Sequence, residues 1–180
     1  VFMSTVDVYP KDGQKHDENE VISIESIGHL YGVTKRISEE IVLGRANSPL
    51  VLRLSSLVGA YSRKNSLMKL IQDEKPVLCL SAEATLNFVR YKDVLEFVEY
   101  AATHHLSGIY NTVSSNAISL KAIASILGKT AQFGSAPYQP GQIDNQKIAG
   151  VFPLFKRSSE EVLKDFLNEE IFSRKGGVSA

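Results

Sequence analysis

A chain of 180 residues in which twenty basic side chains balance twenty acidic ones has no overall electrostatic pull toward nucleic acid or an anionic membrane surface. Its 43% hydrophobic and 22% charged residues are ordinary for a globular domain with a sizeable core, and no apolar run is long enough to span a bilayer. A single cysteine, Cys79, rules out an intramolecular disulfide and suits a reducing, cytoplasmic compartment.

The N-terminus has neither a methionine nor the basic, apolar and small-residue pattern of a signal peptide. Val1–Tyr9 reads as a strand leading into a loop, so the expectation is a chain whose N-terminal half is missing. Pro10–Glu20, rich in charge, Pro and Gly, reads as a surface loop in which His16 is solvated. Ile27, Leu30, Thr34, Ile37 and Ile41 recur at helical spacing, with Gly44 as the stop. Pro49–Leu54 then forms a short apolar run of the kind that makes a buried strand. Strand, helix and strand in this order predict a parallel βαβ crossover.

Further along, Ser66–Glu74 predicts a helix and Val77–Leu80 a short strand with Cys79 buried in it. Val94, Phe97, Val98 and Ala101 give an amphipathic stretch after Asp93. Gly108–Val113 is the next strand, followed by a helix over Ser119–Leu127 with Ser119 as N-cap and Gly128 as its stop. Ser158–Glu161 opens a last helix with acidic residues in its first turn, where the helix dipole favours them. The tail Arg174–Ala180 is expected to fray. His104–His105 and Asp144 read as ordinary surface polar residues and no metal site is expected. Phe88, Phe97, Phe133 and Phe166 read as core.

The fold class is therefore α/β: a partial Rossmann-like parallel sheet (a C-terminal half) with a small α+β substrate-binding part. Residues 1–60 make the first, 61–173 mostly the second with elements returning to the main sheet, and 174–180 a tail. A central parallel strand needs neighbours on both sides. The sheet edge left open is covered either by self-association or by strands of a parent protein.

The main chemical signal is Tyr31-Gly-Val-Thr-Lys35. Positions i and i+4 share one helix face. Free tyrosine ionises near about pH 10 and is a poor base at neutral pH, but an adjacent cation favours the phenolate and makes it usable as an acid/base. The pattern alone is weak, since about half a match arises by chance in this composition. A helix with a half-buried tyrosine and a solvated lysine would show the same residues. Ser4 and Thr5 end the first strand, and Leu52–Gly59 ends another in a small-residue turn. Both fall at carboxyl ends of strands, where open α/β sheets bind ligands.

The ordered set of strand with Ser/Thr, then Tyr-x-x-x-Lys, then Leu52-Arg53 followed by Gly59, resembles the extended short-chain dehydrogenases/reductases, the NAD-dependent epimerases and dehydratases. Asn87–Val94, Gly108–Val113 with the Ser119 helix, and Pro137–Gly141 resemble the family's later landmarks, so the likeness spans Phe2 to about Leu167. The resemblance implies NAD or NADP as cofactor, a sugar or nucleotide-sugar substrate, and a homodimer or higher oligomer. It implies Thr5, Tyr31 and Lys35 as catalytic residues, with Lys35 also on the cofactor ribose and Leu57 against the nicotinamide. Ser4, Ser56 and Arg90 would meet the substrate.

Departures qualify it. Ser56 stands where the family often has an Asn that helps hold the substrate's phosphate; Leu86, Asn87 and Arg90 replace its usual Arg, Asp and His, and Pro10 a glycine. The glycine-rich turn that grips a dinucleotide pyrophosphate occurs nowhere in the 180 residues. Weak or absent cofactor binding by this chain follows. Two readings stay open: a fragment of an NAD(P)-dependent nucleotide-sugar epimerase, dehydratase or reductase, inactive by itself, or a non-catalytic binding or assembly module on a dehydrogenase scaffold.

Overall fold

The computed structural model describes residues 1–59 and 62–176, with side chains as far as Glu169. In chain order, β1 (Phe2–Thr5) runs into a 3-10 turn (Val6–Val8) and a short β2 (Lys15–His16), after which α1 (Leu30–Arg45) leads to β3 (Leu50–Leu54). Then come β4 (Ser56–Val58), α2 (Ser66–Gln72), β5 (Thr85–Leu86), β6 (Phe88–Arg90) and α3 (Tyr91–Thr103). They are followed by β7 (Gly108–Thr112), β8 (Ile118–Ser119), α4 (Leu120–Ile126), β9 (Gln142–Ile143), α5 (Gln146–Val151) and α6 (Ser159–Gly176). The frayed tail expected over Arg174–Ala180, and the domain boundary at 60–61, fall largely outside the described residues.

The main sheet is parallel, in the order β1-β3-β7, so the molecule is α/β with a Rossmann-like sheet. Alternation along β3 sorts its two faces. Leu50, Leu52 and Leu54 join Val94, Phe97 and Ala101 of α3 and Ile148, Ala149 and Phe155 in one core cluster. Arg53 faces the other way, in register with Ser4 on one side and Asn111 on the other. That polar row is buried, and Glu39 of α1 closes its Ser4 and Arg53 end: Glu39 accepts from Arg53 Nε (3.1 Å) and Nη2 (2.8 Å) and from the Ser4 hydroxyl. The Tyr9 hydroxyl accepts from Arg53 Nη1 (2.7 Å) and lies 2.8 Å from Asn111 Oδ1. Burial pushes the Tyr9 phenol up to about 12 although Arg53 sits beside it. Burial alone would pull the Arg53 guanidinium down, and its bonds to Glu39 and Tyr9 outweigh that and hold it charged.

A second core cluster lies among α2, α4, α6 and the short strands, built on Leu67, Leu70, Phe88, Leu120, Ile123, Leu163 and Phe166. Ser119 caps α4 by accepting from Ala122 N (3.2 Å), and Gly128 follows it with φ +62°, a left-handed stop that glycine adopts without strain. Ser119→Ala should cost about 1 kcal/mol of unfolding free energy, read as a fall in the urea midpoint with the slope unchanged.

Several expectations change. The helix starts at Leu30, with the His29 ring nitrogen Nδ1 capping it by accepting from Gly32 N (3.0 Å). Ile27 is buried ahead of it, and α1 passes through Gly44 to Arg45. Leu30 (77% exposed), Ile37 (44%) and Ile41 (59%) face outward. The face turned to the sheet carries Gly32 and Glu39 instead, because the partner there is a polar row. Val77–Leu80 makes isolated bridges, Val77 to Gln132 and Leu80 to Ala136, in place of a strand. Its residues alternate: Leu78 is buried while Val77 and Cys79 are exposed, so the thiol is a surface group. No helix among the described residues is long and apolar enough to cross a membrane.

Candidate active site

The carboxyl ends of β1, β3 and β7 open onto a cavity of about 520 Å³, within the usual range for small-molecule sites. The end of β1 and the turn after it supply Thr5, Val6 and Asp7; the first turn of α1 supplies Tyr31; the stretch after β3 supplies Ser55 and Ser56. Asn87 and residues 113–117 make another wall, and Lys15 with residues 138 and 140–143 make the outer rim. Short ladders hold these loops. β4 pairs with β6, β2 with β9, and Asn87 accepts from Ser114 N (2.9 Å) while donating to the Ser114 and Asn116 carbonyls (3.0 Å each).

Among the residues singled out from sequence, Thr5, Tyr31 and Ser56 line this cavity. Thr5 Oγ1 also accepts from Asp7 N (3.2 Å), fixing the turn that carries it. Ser4 faces the opposite way: its hydroxyl is donated to buried Glu39. Lys35 lies outside the lining. Its ammonium donates to the Met3 carbonyl (2.8 Å) and stands 5.0 Å from the Phe2 ring centroid and 6.0 Å from that of Tyr31. Leu57 packs against the α3 core cluster. Arg90 is held by Asp93, with Nη2–Oδ1 at 2.7 Å, and by Glu169 at 2.8 Å. The Asp93 hydrogen bonds outweigh burial and keep its guanidinium charged. Asp93 also binds Arg157, which reaches Asp165, so Arg90 belongs to an ion cluster joining β6, α3 and α6.

The approach of α1 to the Thr5 turn depends on Gly32. A Cβ there would lie 2.3 Å from the Asp7 carbonyl oxygen and 2.7 Å from Ile27 Cγ2, inside contact distance of backbone that cannot swing away. Gly32→Ala should therefore push α1 off the turn and destabilise the fold by about 1–3 kcal/mol, as overpacking does. Thermal unfolding of the variant checks this.

His16, read from sequence as solvated, is 2% exposed. Its ring stacks on Tyr9 at 5.0 Å, with Nδ1 2.7 Å from Glu20 and Nε2 3.1 Å from Asp12. The Gln14 backbone N–H, before any effect of His16, holds the Asp12 carboxyl below its usual range. Of the remaining cavity residues, Ser55, Val113 and Tyr138 fall within segments singled out from sequence (Leu52–Gly59, Gly108–Val113 and Pro137–Gly141) but carried no role there, while Gln142 and residues 114–117 fell in no motif. Adjacency to Ser56, and the rule that ligands sit beyond carboxyl ends of parallel strands, would have found Ser55 and residues 113–117. Tyr138 sits in the marked Pro137–Gly141 loop and Gln142 directly after it, but nothing local shows that this distant loop returns to the cavity. Among the described residues no three His, Cys, Asp or Glu side chains gather as a metal-binding group.

A family model, the NAD dependent epimerase/dehydratase family, matches residues 1–112. The chain belongs to that family. Among solved structures, UDP-glucuronic acid 4-epimerase from Bacillus cereus, in complex with NAD, matches at 20% identity and TM-score 0.73, over 98% of this chain and 61% of that one. The dTDP-glucose 4,6-dehydratase of Bacillus anthracis, in complex with NAD, matches at 18% identity and TM-score 0.71, over 92% of this chain and 59% of that one. The dTDP-4-dehydrorhamnose reductase of the same organism, in complex with NADP, matches at 20% and 0.72, over 93% and 64%. These likenesses concern the fold, and the chain spans about three fifths of each neighbour. No curated protein sequence matches the chain.

Proposed function

We propose that this chain is the substrate-side part of an NAD(P)-dependent epimerase, dehydratase or reductase acting at a carbon of a sugar or nucleotide sugar, with Tyr31 as the acid/base. Residues 1–60 form the catalytic part of the sheet and 61–173 mostly the substrate part. The observation that carries this is the meeting of Thr5 and Tyr31 in one cavity at the carboxyl ends of parallel strands. A phenol in that position exchanges a proton with a substrate hydroxyl or carbonyl oxygen, and Thr5 orients the same oxygen. When bound, the nicotinamide cofactor supplies the hydride chemistry. A cytoplasmic setting accords with the lone, exposed thiol.

The residues of this chain do not by themselves fit the whole cofactor. Tyr31 lines the cavity, Lys35 is turned to the Met3 carbonyl, Leu57 is half-buried against the α3 core cluster, and no glycine-rich turn is present in the 180 residues to grip a pyrophosphate. Calorimetric titration with NADH and NADPH tests this division of labour. No binding up to millimolar cofactor is the expected result. Micromolar binding would show a complete dinucleotide site within these 180 residues and overturn it.

Self-association through α1 accompanies this reading. Leu30, Ile37 and Ile41 form an outward apolar stripe that a second copy would cover, and among the described residues β1 pairs with β3 alone, leaving an edge for a second copy or strands of a parent protein. One observation favours the alternative, a non-catalytic binding or assembly module: the Lys35 ammonium is spent on a backbone carbonyl. That reading requires Tyr31→Phe to be without effect.

A further inference from the structure

We infer that His29 is the positioning residue of Tyr31: as a neutral imidazole it caps α1 and fixes the turn that carries the phenol, and once protonated it lets that turn go. The inference rests on the reading of Tyr31 as the acid/base. Its basis is the geometry of the first turn of α1.

The Tyr31 side chain is exposed and its hydroxyl has no hydrogen-bond partner among the described residues. The backbone of the turn therefore sets where the phenol stands. Two contacts hold that backbone. On one side Gly32 N donates to His29 Nδ1 (3.0 Å) and Val33 N to the His29 carbonyl (3.2 Å). On the other, Gly32 approaches the turn after β1 so closely that a Cβ would stand 2.3 Å from the Asp7 carbonyl oxygen. Tyr31 lies between the cap and this contact, its ring within 17° of parallel to that of His29 and 6.4 Å from it.

A backbone N–H only donates, so Nδ1 must carry the lone pair and Nε2 the ring proton. Serine, threonine or asparagine at an N-cap keeps its acceptor oxygen at any working pH. Histidine does not. It changes charge between about pH 5 and pH 8, and the cation donates from both nitrogens, so no rotation of the ring restores an acceptor. The cation would also sit at the positive end of the helix dipole, and the first turn of α1 holds no acidic residue to offset it. The nearest charged groups on the packed elements are engaged elsewhere: Asp7 with Lys11 (2.9 Å), and Lys35 with the Met3 carbonyl (2.8 Å). The sign follows. The turn is held while His29 is neutral and loosens as pH falls.

Carbon-13 and nitrogen-15 chemical shifts of the full 180-residue chain, followed from about pH 8 to about pH 5, test this. The Gly32 amide proton is expected to move upfield as its bond is lost. The Tyr31 Cα signal should drift from its helical position toward coil along the same curve as the His29 ring. His29→Asn supplies a capping oxygen that does not titrate and should hold both signals in place across the range. His29→Ala should show the acidic positions already at the alkaline end. His16, His104 and His105 are common to all three proteins, so differences among them belong to position 29. Signals of Gly32 and Tyr31 that ignore the His29 titration, or that titrate equally in His29→Asn, overturn the inference. So does a Gly32 amide that moves while Tyr31 stays helical, because the cap then has no hold on the phenol. No turnover enters the measurement. An unchanged rate for Tyr31→Phe would remove the acid/base role and leave the His29 titration as found.

Discussion

Replacing Glu39 with alanine should lower the unfolding free energy by about 3–5 kcal/mol, the usual cost of stranding one partner of a buried ion pair. Glu39 and Arg53 are 0% and 1% exposed, and two hydrogen bonds join the carboxylate to the guanidinium. Without the carboxylate, Arg53 keeps only Tyr9 as a side-chain partner among the described residues, and the Ser4 hydroxyl loses its acceptor. The guanidinium cannot neutralise itself by losing its proton at any working pH, so the charge must stay buried or drag the sheet open to water. Urea unfolding measures the loss. Glu39→Leu combined with Arg53→Met should cost far less than either single change, because removing both charges also removes the desolvation penalty. Equal losses for the pair and the singles would mean that packing, not charge, sets the effect.

This network explains where the sequence could be read and where it could not. β1, α1, β3 and β7 follow from apolar runs and turn residues, and the parallel crossover follows from their order. Which face of α1 is buried did not follow. Apolar spacing pointed to Leu30, Ile37 and Ile41, which the structure turns outward. A helix that closes over Ser4 and Arg53 and lies against the Asp7 carbonyl at its first turn needs a carboxylate and a glycine on its inner face, and hydrophobic periodicity carries no trace of that. His16 is a similar case. Its charged neighbours in the chain look like a solvated loop, yet those same carboxylates are what satisfy a buried ring.

At the site, Thr5, Tyr31 and Ser56 were legible because each ends or begins an element at one side of a parallel sheet, a position the order of strands and helix already defines. Ser4 and Arg90 were not separable from them by sequence. Ser4 differs from Thr5 by one residue, and strand alternation sends it to the opposite face. Arg90 looked open to an anion, but its carboxylates come from α3 and α6, the second 79 positions away.

The role of Tyr31 is the claim on which the functional reading depends, and one substitution addresses it. Tyr31→Phe keeps the ring and its place in the first turn of α1 and removes only the hydroxyl. On the proposed reading, once the chain is joined to a nucleotide-binding half, single-turnover rates should fall by about 10²–10⁴-fold, the typical worth of a positioned acid/base. The urea midpoint should change little, because the Tyr31 side chain is 54% exposed and its hydroxyl has no hydrogen-bond partner among the described residues, and substrate affinity should change far less than the rate. That pattern, a rate lost with binding and stability kept, is the predicted result. An unchanged rate would contradict it, and the chain would then be a binding or assembly module built on a dehydrogenase sheet.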